Sequence, residues 1–91
     1  MAKVRIPTPL RTYTQGSDEV VVAGATVGEV LTNLSQRYDG IGQRLFDKSG
    51  AVHRFINIFL NKSDIRREGG LAASVGDDDV ISIFPAIAGG R

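Results

Sequence analysis

Apolar and polar residues alternate near the start of the chain and then give way to a β-branched run. In "KVRIPTPL", Val4 and Ile6 alternate with Lys3 and Arg5, which is the period of a half-buried strand. Prolines follow at once and end the strand, because proline donates no hydrogen bond to a ladder. Turn residues in "TQGSD" precede "EVVVAG", so the pattern predicts a hairpin of two strands.

The next segment, "ATVGEVLTNLSQRYDG", changes to a helical period. Thr26 and Glu29 have the Thr-x-x-Glu spacing of a capping box, in which each side chain satisfies a backbone N–H at the helix start. Apolar residues then recur at three- and four-residue steps and share one face: Val27, Val30, Leu31, Leu34 and Tyr38. Gly40 is the predicted end of this helix.

Short strands joined by turns are predicted for the second half of the chain. The segment "IGQRLFDKSGAV" is predicted to be a loop with one helical turn. "RFINIFLN" has the strongest strand pattern of the sequence, and "NKSDIR" predicts a tight turn into a short edge strand through Ile65. "EGGLAASVGDDD" predicts a bend, a helical turn and an acidic turn, and "VISIF" is the last predicted strand.

The resulting order is strand, strand, helix, strand, short strand, strand. A single helix after a hairpin must cover one face of the sheet, and the preference for right-handed crossovers limits how the later strands return. We therefore predict an α+β fold of the β-grasp type, with a mixed sheet of about five strands covered by one main helix. The domain is predicted to span residues 1–84, and residues 85–91 are predicted to form a flexible C-terminal tail.

Composition narrows the functions that fit such a fold. The 91 residues suit one domain, and 42% hydrophobic and 23% charged residues are ordinary for a globular protein. A net charge of +1 gives no field that would recruit nucleic acid or an anionic membrane. With no cysteine and one histidine, His53, the chain lacks thiolate nucleophiles and soft metal ligands. No basic segment followed by an apolar run opens the chain, so the expected location is the cytoplasm.

The sequence "FPAIAGG", placed after the last strand of this order, resembles the C-terminus of the ubiquitin-like sulfur carriers of the MoaD and ThiS type. The segments "TVGEVL", "HRFINIFLN" and "GGLAASVGDDDVISIFPAIAGG" are most similar to CysO-type carriers, which serve cysteine biosynthesis. The resemblance runs from about Val4 to Gly90. It implies a ubiquitin-like β-grasp and a protein co-substrate rather than an enzyme.

The resemblance also implies that Gly90 carries the chemistry. In the family, an adenylating enzyme of the ubiquitin-activating type uses ATP and magnesium to activate the terminal glycine carboxylate, so the carrier itself is expected to bind no cofactor. A sulfurtransferase or another sulfide source then converts the adenylate to a thiocarboxylate. The CysO-type pathway adds a pyridoxal-phosphate cysteine synthase and a metalloprotease of the JAMM type as expected partners. Neither nucleic acid nor a membrane is an expected partner.

The residue types of the tail suit this chemistry. Gly89 and Gly90 lack a Cβ atom, so they can enter a narrow channel and leave the acyl carbon unhindered. The tail before them consists of Pro85, Ala86, Ile87 and Ala88. Residues 85–90 would span roughly 20 Å if extended. Arg91 departs from the family pattern and blocks activation of Gly90, because an adenylate forms on a terminal carboxylate. We expect a protease to remove Arg91. The alternative is that Arg91 has no role in the native protein.

Alternation in the last long strands predicts a second apolar surface. The residues expected to face the helix are Ile56, Ile58, Leu60, Ile81 and Ile83. On the opposite face, Phe59 and Phe84, with Phe55, are predicted to form an exposed docking patch beside the tail. The resemblance places ubiquitin-like recognition on the same face. The alternative is that residues 41–51 fold over these aromatic rings and bury them.

Several functions fit these features. The first is a sulfur carrier for cysteine biosynthesis, and the second is the small subunit of molybdopterin synthase or another thiocarboxylate sulfur donor. The third belongs to a different class: a ubiquitin-like protein modifier, or an interaction domain without chemistry. Carrier and modifier differ in the nucleophile that captures the adenylate, sulfide or an amine, and the sequence does not decide between them.

Overall fold

Regular elements occupy most of the chain that the structure describes. The computed structural model describes residues 1–85. Its strands are β1 (Ala2–Arg5), β2 (Glu19–Val22), β3 (Ile56–Leu60), β4 (Ser63–Asp64) and β5 (Val80–Pro85). Its α-helices are α1 (Val27–Arg37) and α2 (Ile41–Leu45). Short 3₁₀ segments cover Thr8–Thr14, Ile65–Arg67 and Gly70–Ala72.

These strands form one mixed sheet in the order β2-β1-β5-β3-β4. Strand β1 pairs with β5 in parallel, and the other neighbouring strands pair antiparallel. The first strand therefore lies beside the last strand at the centre of the sheet. This is the arrangement of a β-grasp, and it confirms the predicted α+β fold with a mixed sheet of five strands.

The core lies between helix α1 and one face of the sheet. Its buried members alternate with exposed residues along the strands and recur at helical spacing along α1. They include Val4, Ile58, Ile81 and Ile83 from the sheet and Val27, Val30, Leu31 and Leu34 from the helix. Burying one such side chain stabilises the fold by roughly 1.5–3 kcal/mol. Since the helix covers this inner face, the opposite, outer face of the sheet is the one left for other contacts.

The capping box predicted for α1 is present. Thr26 Oγ1 accepts the Glu29 backbone N–H at 3.1 Å, and Glu29 Oε1 accepts the Ala25 N–H at 2.9 Å. The prediction that Gly40 ends the helix is wrong by a few residues. The helix ends at Arg37, because Tyr38 adopts an extended conformation, and Gly40 takes a left-handed conformation (φ 89°) at the start of α2.

Residues 41–51 pack on the helix side of the molecule. The predicted helical turn is α2, whose Ile41 and Leu45 are fully buried. Helix α2 contacts α1 and the 3₁₀ segment Thr8–Thr14. After it, Phe46 and Val52 form an isolated antiparallel bridge that closes the following turn. This segment therefore contributes to the core.

Three element boundaries differ from the predicted ones. The connection between β1 and β2 contains the 3₁₀ segment Thr8–Thr14, which holds Leu10 in the core, whereas the sequence predicted only a turn. Strand β3 begins at Ile56 rather than at Arg54. Ile65 is buried in a 3₁₀ segment and does not extend the edge strand. In the first and third cases, tertiary burial of Leu10 and Ile65, which is not visible as a local pattern, decides the conformation.

Candidate functional site

Phe59 and Phe84 form an aromatic pair on the outer face of the sheet. They project from adjacent strands, where Phe59 is in register with Ser82 and Phe84 with Asn57. Their ring centroids are 5.4 Å apart, and the rings meet edge to face at 89°, a favourable arrangement for two aromatic rings. Phe84 remains 51% exposed. We call Phe59 and Phe84 the aromatic pair.

The alternative that residues 41–51 cover these rings does not hold. Helix α2 packs against α1 and the 3₁₀ segment Thr8–Thr14, on the other side of the sheet. Phe84 is one of the large apolar residues that stay exposed in the part of the chain that the structure describes. An exposed aromatic pair on a sheet face is typical of a surface that binds another protein.

Phe55 is separate from the aromatic pair. The sequence placed Phe55 on the outer face of the strand, but it lies in the turn before β3. Its ring is 5.2 Å from the His53 ring, and the Arg54 guanidinium lies 4.9 Å from its centroid. Phe55 is 39% exposed. The structure therefore brings two of the three predicted patch residues together and leaves the third in a neighbouring cluster.

Arg66 lies beside Phe59 and is hydrogen-bonded to a neighbouring carboxylate. Arg66 donates from Nε and Nη2 to the Asp64 carboxylate at 3.0 and 2.6 Å, and its backbone N–H donates to the same carboxylate at 2.9 Å. The hydrogen bonds from Arg66, side chain first and then backbone, lower the pKa of Asp64 to about 2. Arg66 Nη2 also reaches Asn57 Oδ1 at 3.5 Å. At neutral pH this carboxylate is ionised and fixes the arginine at the sheet edge.

The base of the tail is anchored in the sheet. Pro85 is the last residue of β5 and is in register with Ile56, so the strand runs one residue beyond the predicted end. The Asn61 N–H donates to the Val80 carbonyl at 2.7 Å. In an antiparallel ladder hydrogen-bonded pairs alternate, so the pair of Ile56 and Pro85 is a non-hydrogen-bonded one. Proline at this position therefore costs the ladder no donor.

The remaining tail residues lie outside the described residues: Ala86, Ile87, Ala88, Gly89, Gly90 and Arg91. Their predicted roles, and the predicted boundary between domain and tail, stay predictions. What the structure does give is their starting point. The chain leaves the centre of the sheet at Pro85, directly after Phe84 of the aromatic pair.

Other polar groups have structural partners. Asp79 accepts the Gly76 N–H at 2.8 Å and an Asn61 amide N–H at 3.2 Å, and these two bonds, in that order, lower its pKa. His53 Nδ1 accepts the Phe55 N–H at 3.2 Å. Within residues 1–85 there is no group of three or more His, Cys, Asp or Glu side chains that could hold a metal ion. Nor does that part of the chain contain a helix long and apolar enough to cross a membrane.

Sequence reasoning missed two arginines close to the aromatic pair. Arg5 and Arg11 line a cleft beside Phe84. The alternation of β1 had placed Arg5 on the outer face, but nothing local indicated that β1 would pair with β5. The Arg66 interaction had a readable signal, because an aspartate two residues before an arginine in a turn can bond both its backbone and its side chain.

Comparison with known proteins agrees with this geometry. The model of the ThiS family matches residues 4–90. The chain belongs to the ThiS family. This ThiS-family chain is 47% identical over 89 residues to the sulfur carrier protein CysO of Mycobacterium tuberculosis, covering 96% of both chains. It is 39% identical over 66 residues to small archaeal modifier protein 3 of Haloferax volcanii, covering 72% of this chain and 71% of the relative.

Solved structures are similar over nearly the whole chain. CysO in the BexX/CysO complex of Amycolatopsis orientalis is similar with a TM-score of 0.90 and 45% identity, covering 98% of this chain and 99% of that one. Mycobacterium tuberculosis CysO is similar with a TM-score of 0.89, 44% identity and coverage of 96% and 100%. The protein is thus a ubiquitin-like sulfur carrier of the CysO type, homologous to ThiS and MoaD. Such proteins are carriers, so this ThiS-family chain is not itself an enzyme.

Proposed function

We propose that Gly90, after removal of Arg91, is adenylated and converted to a thiocarboxylate that donates sulfur for cysteine biosynthesis. The observation that carries the proposal is the match to the ThiS family, which extends to residue 90, together with 47% identity to CysO over 96% of both chains. The proposed reaction site is the Gly90 carboxylate, and Gly89 before it has no side chain that would widen the tail.

Two substitution steps account for the chemistry. The Gly90 carboxylate oxygen attacks the α-phosphorus of ATP, pyrophosphate leaves, and an acyl adenylate forms. A sulfide nucleophile then attacks the acyl carbon, AMP leaves, and the carbon retains sulfur as a thiocarboxylate. Both steps are catalysed by partners, with magnesium balancing the phosphate charge in the adenylating enzyme. The carrier's own contribution is a slender tail that starts at a fixed point, Pro85, in the sheet.

Docking is assigned to the outer face of the sheet. The aromatic pair lies next to the origin of the tail, so a partner that binds the pair can receive residues 86–90 in an adjacent channel. Phe55 extends this surface only if the partner also reaches the turn before β3. The CysO of the BexX/CysO complex, 45% identical to this chain, supports the idea that such carriers work while bound to partner proteins.

The proposed partners follow from this reaction. They are an adenylating enzyme of the ubiquitin-activating type that uses ATP and magnesium, and a sulfurtransferase or other sulfide source. For cysteine synthesis they also include a pyridoxal-phosphate cysteine synthase and a JAMM-type metalloprotease that releases the product. All of them fit a cytoplasmic location, where ATP is available.

Arg91 makes the proposal testable with two forms of the protein. One form ends at Arg91 and the other ends at Gly90, and each is incubated with the adenylating enzyme, ATP and magnesium. We expect pyrophosphate exchange and acyl-adenylate formation only with the Gly90 form, because only that form presents the glycine carboxylate. Equal activity of the two forms would contradict the precursor assignment, and inactivity of both would contradict the carrier function.

The intact mass of the protein from its own cells gives an independent test. Loss of Arg91 together with the mass gained when one oxygen is replaced by sulfur is the expected result.

The 39% identity to a protein named small archaeal modifier protein 3 favours a second candidate, a modifier whose glycine is joined to lysines. Stable lysine-linked adducts without a thiocarboxylate would favour that function. A thiocarboxylate whose loss impairs molybdopterin synthesis rather than cysteine synthesis would favour the molybdopterin pathway.

A further inference from the structure

Cationic clefts flank the aromatic pair on both sides. The edge cleft, about 470 Å³, lies beside Phe59 and is lined by Phe59, Lys62, Ser63, Asp64, Arg66 and Arg67. The tail cleft, about 230 Å³, lies beside Phe84, and its charged residues are Arg5 and Arg11. The two clefts lie on opposite flanks of the aromatic pair across the strands, because one adjoins β4 and the other adjoins β1. Cations therefore border the aromatic pair from both directions across the strands.

Two acidic residues of this face have cationic neighbours. Asp64 is bonded to Arg66 at 2.6 Å, and Glu19 lies 4.0 Å from Lys3. Within residues 1–85, Arg5, Lys62 and Arg67 make no ion pair. These exposed cations give the outer face a local positive charge that the net charge of +1 conceals.

Compensating negative charge lies elsewhere in the molecule. The acidic turn Asp77–Asp79 precedes β5, at the end of the strand opposite the tail. Asp77 there pairs with the N-terminal ammonium at 2.7 Å. Lys3 and Lys62 also lie near this end of β5, whereas Arg5, which is in register with Ser82, lies closer to the tail. Exposed cations on either side of an apolar patch orient a protein as it approaches an oppositely charged partner.

We propose that this face binds a protein surface that has an apolar centre flanked on two sides by carboxylates. This inference rests on the proposed carrier function, in which that surface belongs to the adenylating enzyme and surrounds the entrance to its channel. The apolar centre covers the aromatic pair, and the carboxylates enter the edge and tail clefts. Since carboxylates of the partner must occupy both clefts at the same time, the charged contacts fix the orientation in which the tail meets the channel.

Charge reversal at the two clefts tests the proposal. The variants are Arg67→Glu in the edge cleft and Arg5→Glu in the tail cleft, each in protein ending at Gly90. The control is Lys48→Glu, which makes the same charge change at an exposed position in the turn after α2. Adenylation is measured at about 0.05 M and 0.5 M salt, where the screening length falls from more than 10 Å to less than 8 Å. Arg5→Gln replaces Arg5→Glu if repulsion from Glu19 lowers the melting temperature.

We expect each cleft variant to raise KM about fivefold at low salt with kcat unchanged, because rim charges change association more than chemistry. At high salt the difference from the wild type should shrink to less than about twofold, and Lys48→Glu should match the wild type throughout. KM values equal to the control at low salt, or a difference that salt leaves intact, would overturn the proposal. Wild-type protein that is not adenylated at all would instead refute the carrier function and, with it, this partner.

A second copy of the chain is the competing occupant, since the acidic turn of one molecule could enter the clefts of another. Sedimentation of the wild type at low salt separates the two cases. A monomer supports the adenylating enzyme as the acidic partner. A dimer that the Arg67→Glu and Arg5→Glu variants dissociate would show that the face binds another copy and would overturn the proposal.

Discussion

Replacing Phe84 by alanine separates docking from folding. A covered phenylalanine buries about 150–250 Å², and Phe84 is 51% exposed, so about 100 Å² is covered. At roughly 25 cal/mol per Å², that area corresponds to about 2.5 kcal/mol. Real unfolded chains already bury part of this surface, so the area buried on folding is smaller by about 10–40%. Alanine also keeps the Cβ atom. We therefore expect Phe84→Ala to lower the free energy of unfolding by about 1–2 kcal/mol.

The neighbouring residue Ile83 provides a matched control on the opposite face. Ile83 is 2% exposed, and truncating a buried isoleucine to alanine costs about 2–5 kcal/mol. The Tm of Ile83→Ala should therefore be well below that of Phe84→Ala, since a loss of about 1 kcal/mol lowers the Tm of a domain of this size by about 4–8 °C. A Phe84→Ala variant that is as unstable as Ile83→Ala would show that the ring belongs to the core.

Docking should respond in the opposite order. A central aromatic residue at a protein interface contributes about 2 kcal/mol or more, which corresponds to roughly a 30-fold change in affinity. We expect Phe84→Ala to raise the KM for adenylation by about that factor, and Ile83→Ala to leave it unchanged at temperatures where the variant is folded. An unaltered KM for Phe84→Ala would refute the assignment of the aromatic pair as the docking surface.

Two further predictions concern the scaffold and the arginine at the sheet edge. Thr26→Ala removes the hydroxyl that accepts the Glu29 N–H, so it should lower the free energy of unfolding by about 1 kcal/mol in urea titrations, and Thr26→Ser should restore most of it. Side-chain carboxyl resonances should titrate Asp64 with a pKa of about 2, and Arg66→Gln should return it toward the ordinary value of 3.8. Because the folded-state pKa is depressed, the stabilisation is complete above about pH 4 and is lost as pH falls toward 2. A midpoint near 4 in the wild type would contradict the hydrogen bonds from Arg66.

Local sequence patterns predicted the structure correctly where residues close in sequence determine the conformation. The spacing of Thr26 and Glu29 predicted the start of the helix, and alternation predicted that Ile81 and Ile83 point inward while Phe84 points outward. Each of these depends on neighbours a few residues away. The fold class, by contrast, was predicted from the order of elements along the chain and from general rules of connection, and the structure agrees with it.

Predictions failed where a local turn or contacts with distant residues override the alternation pattern. Phe55 had the right alternation for the strand but lies in a turn, where the His53 carbonyl accepts the Ile56 N–H at 2.8 Å. Ile65 had a strand pattern but is buried by a 3₁₀ segment. The tail cleft could not be predicted at all, because Arg5 meets Phe84 only through the parallel pairing of β1 with β5 across most of the chain.

The parallel pairing of β1 with β5 also determines how the domain resists a force applied to its C-terminal tail. Force applied beyond Pro85 acts along the axis of β5, which has hydrogen-bonded neighbours on both sides, β1 and β3. Such a load shears both ladders at once, so many hydrogen bonds must break together rather than one after another. Mechanical unfolding under traction is governed by the unfolding rate, and a shear geometry keeps that rate low. A partner that draws the terminus into a deep channel can therefore hold it under tension while the domain stays folded outside.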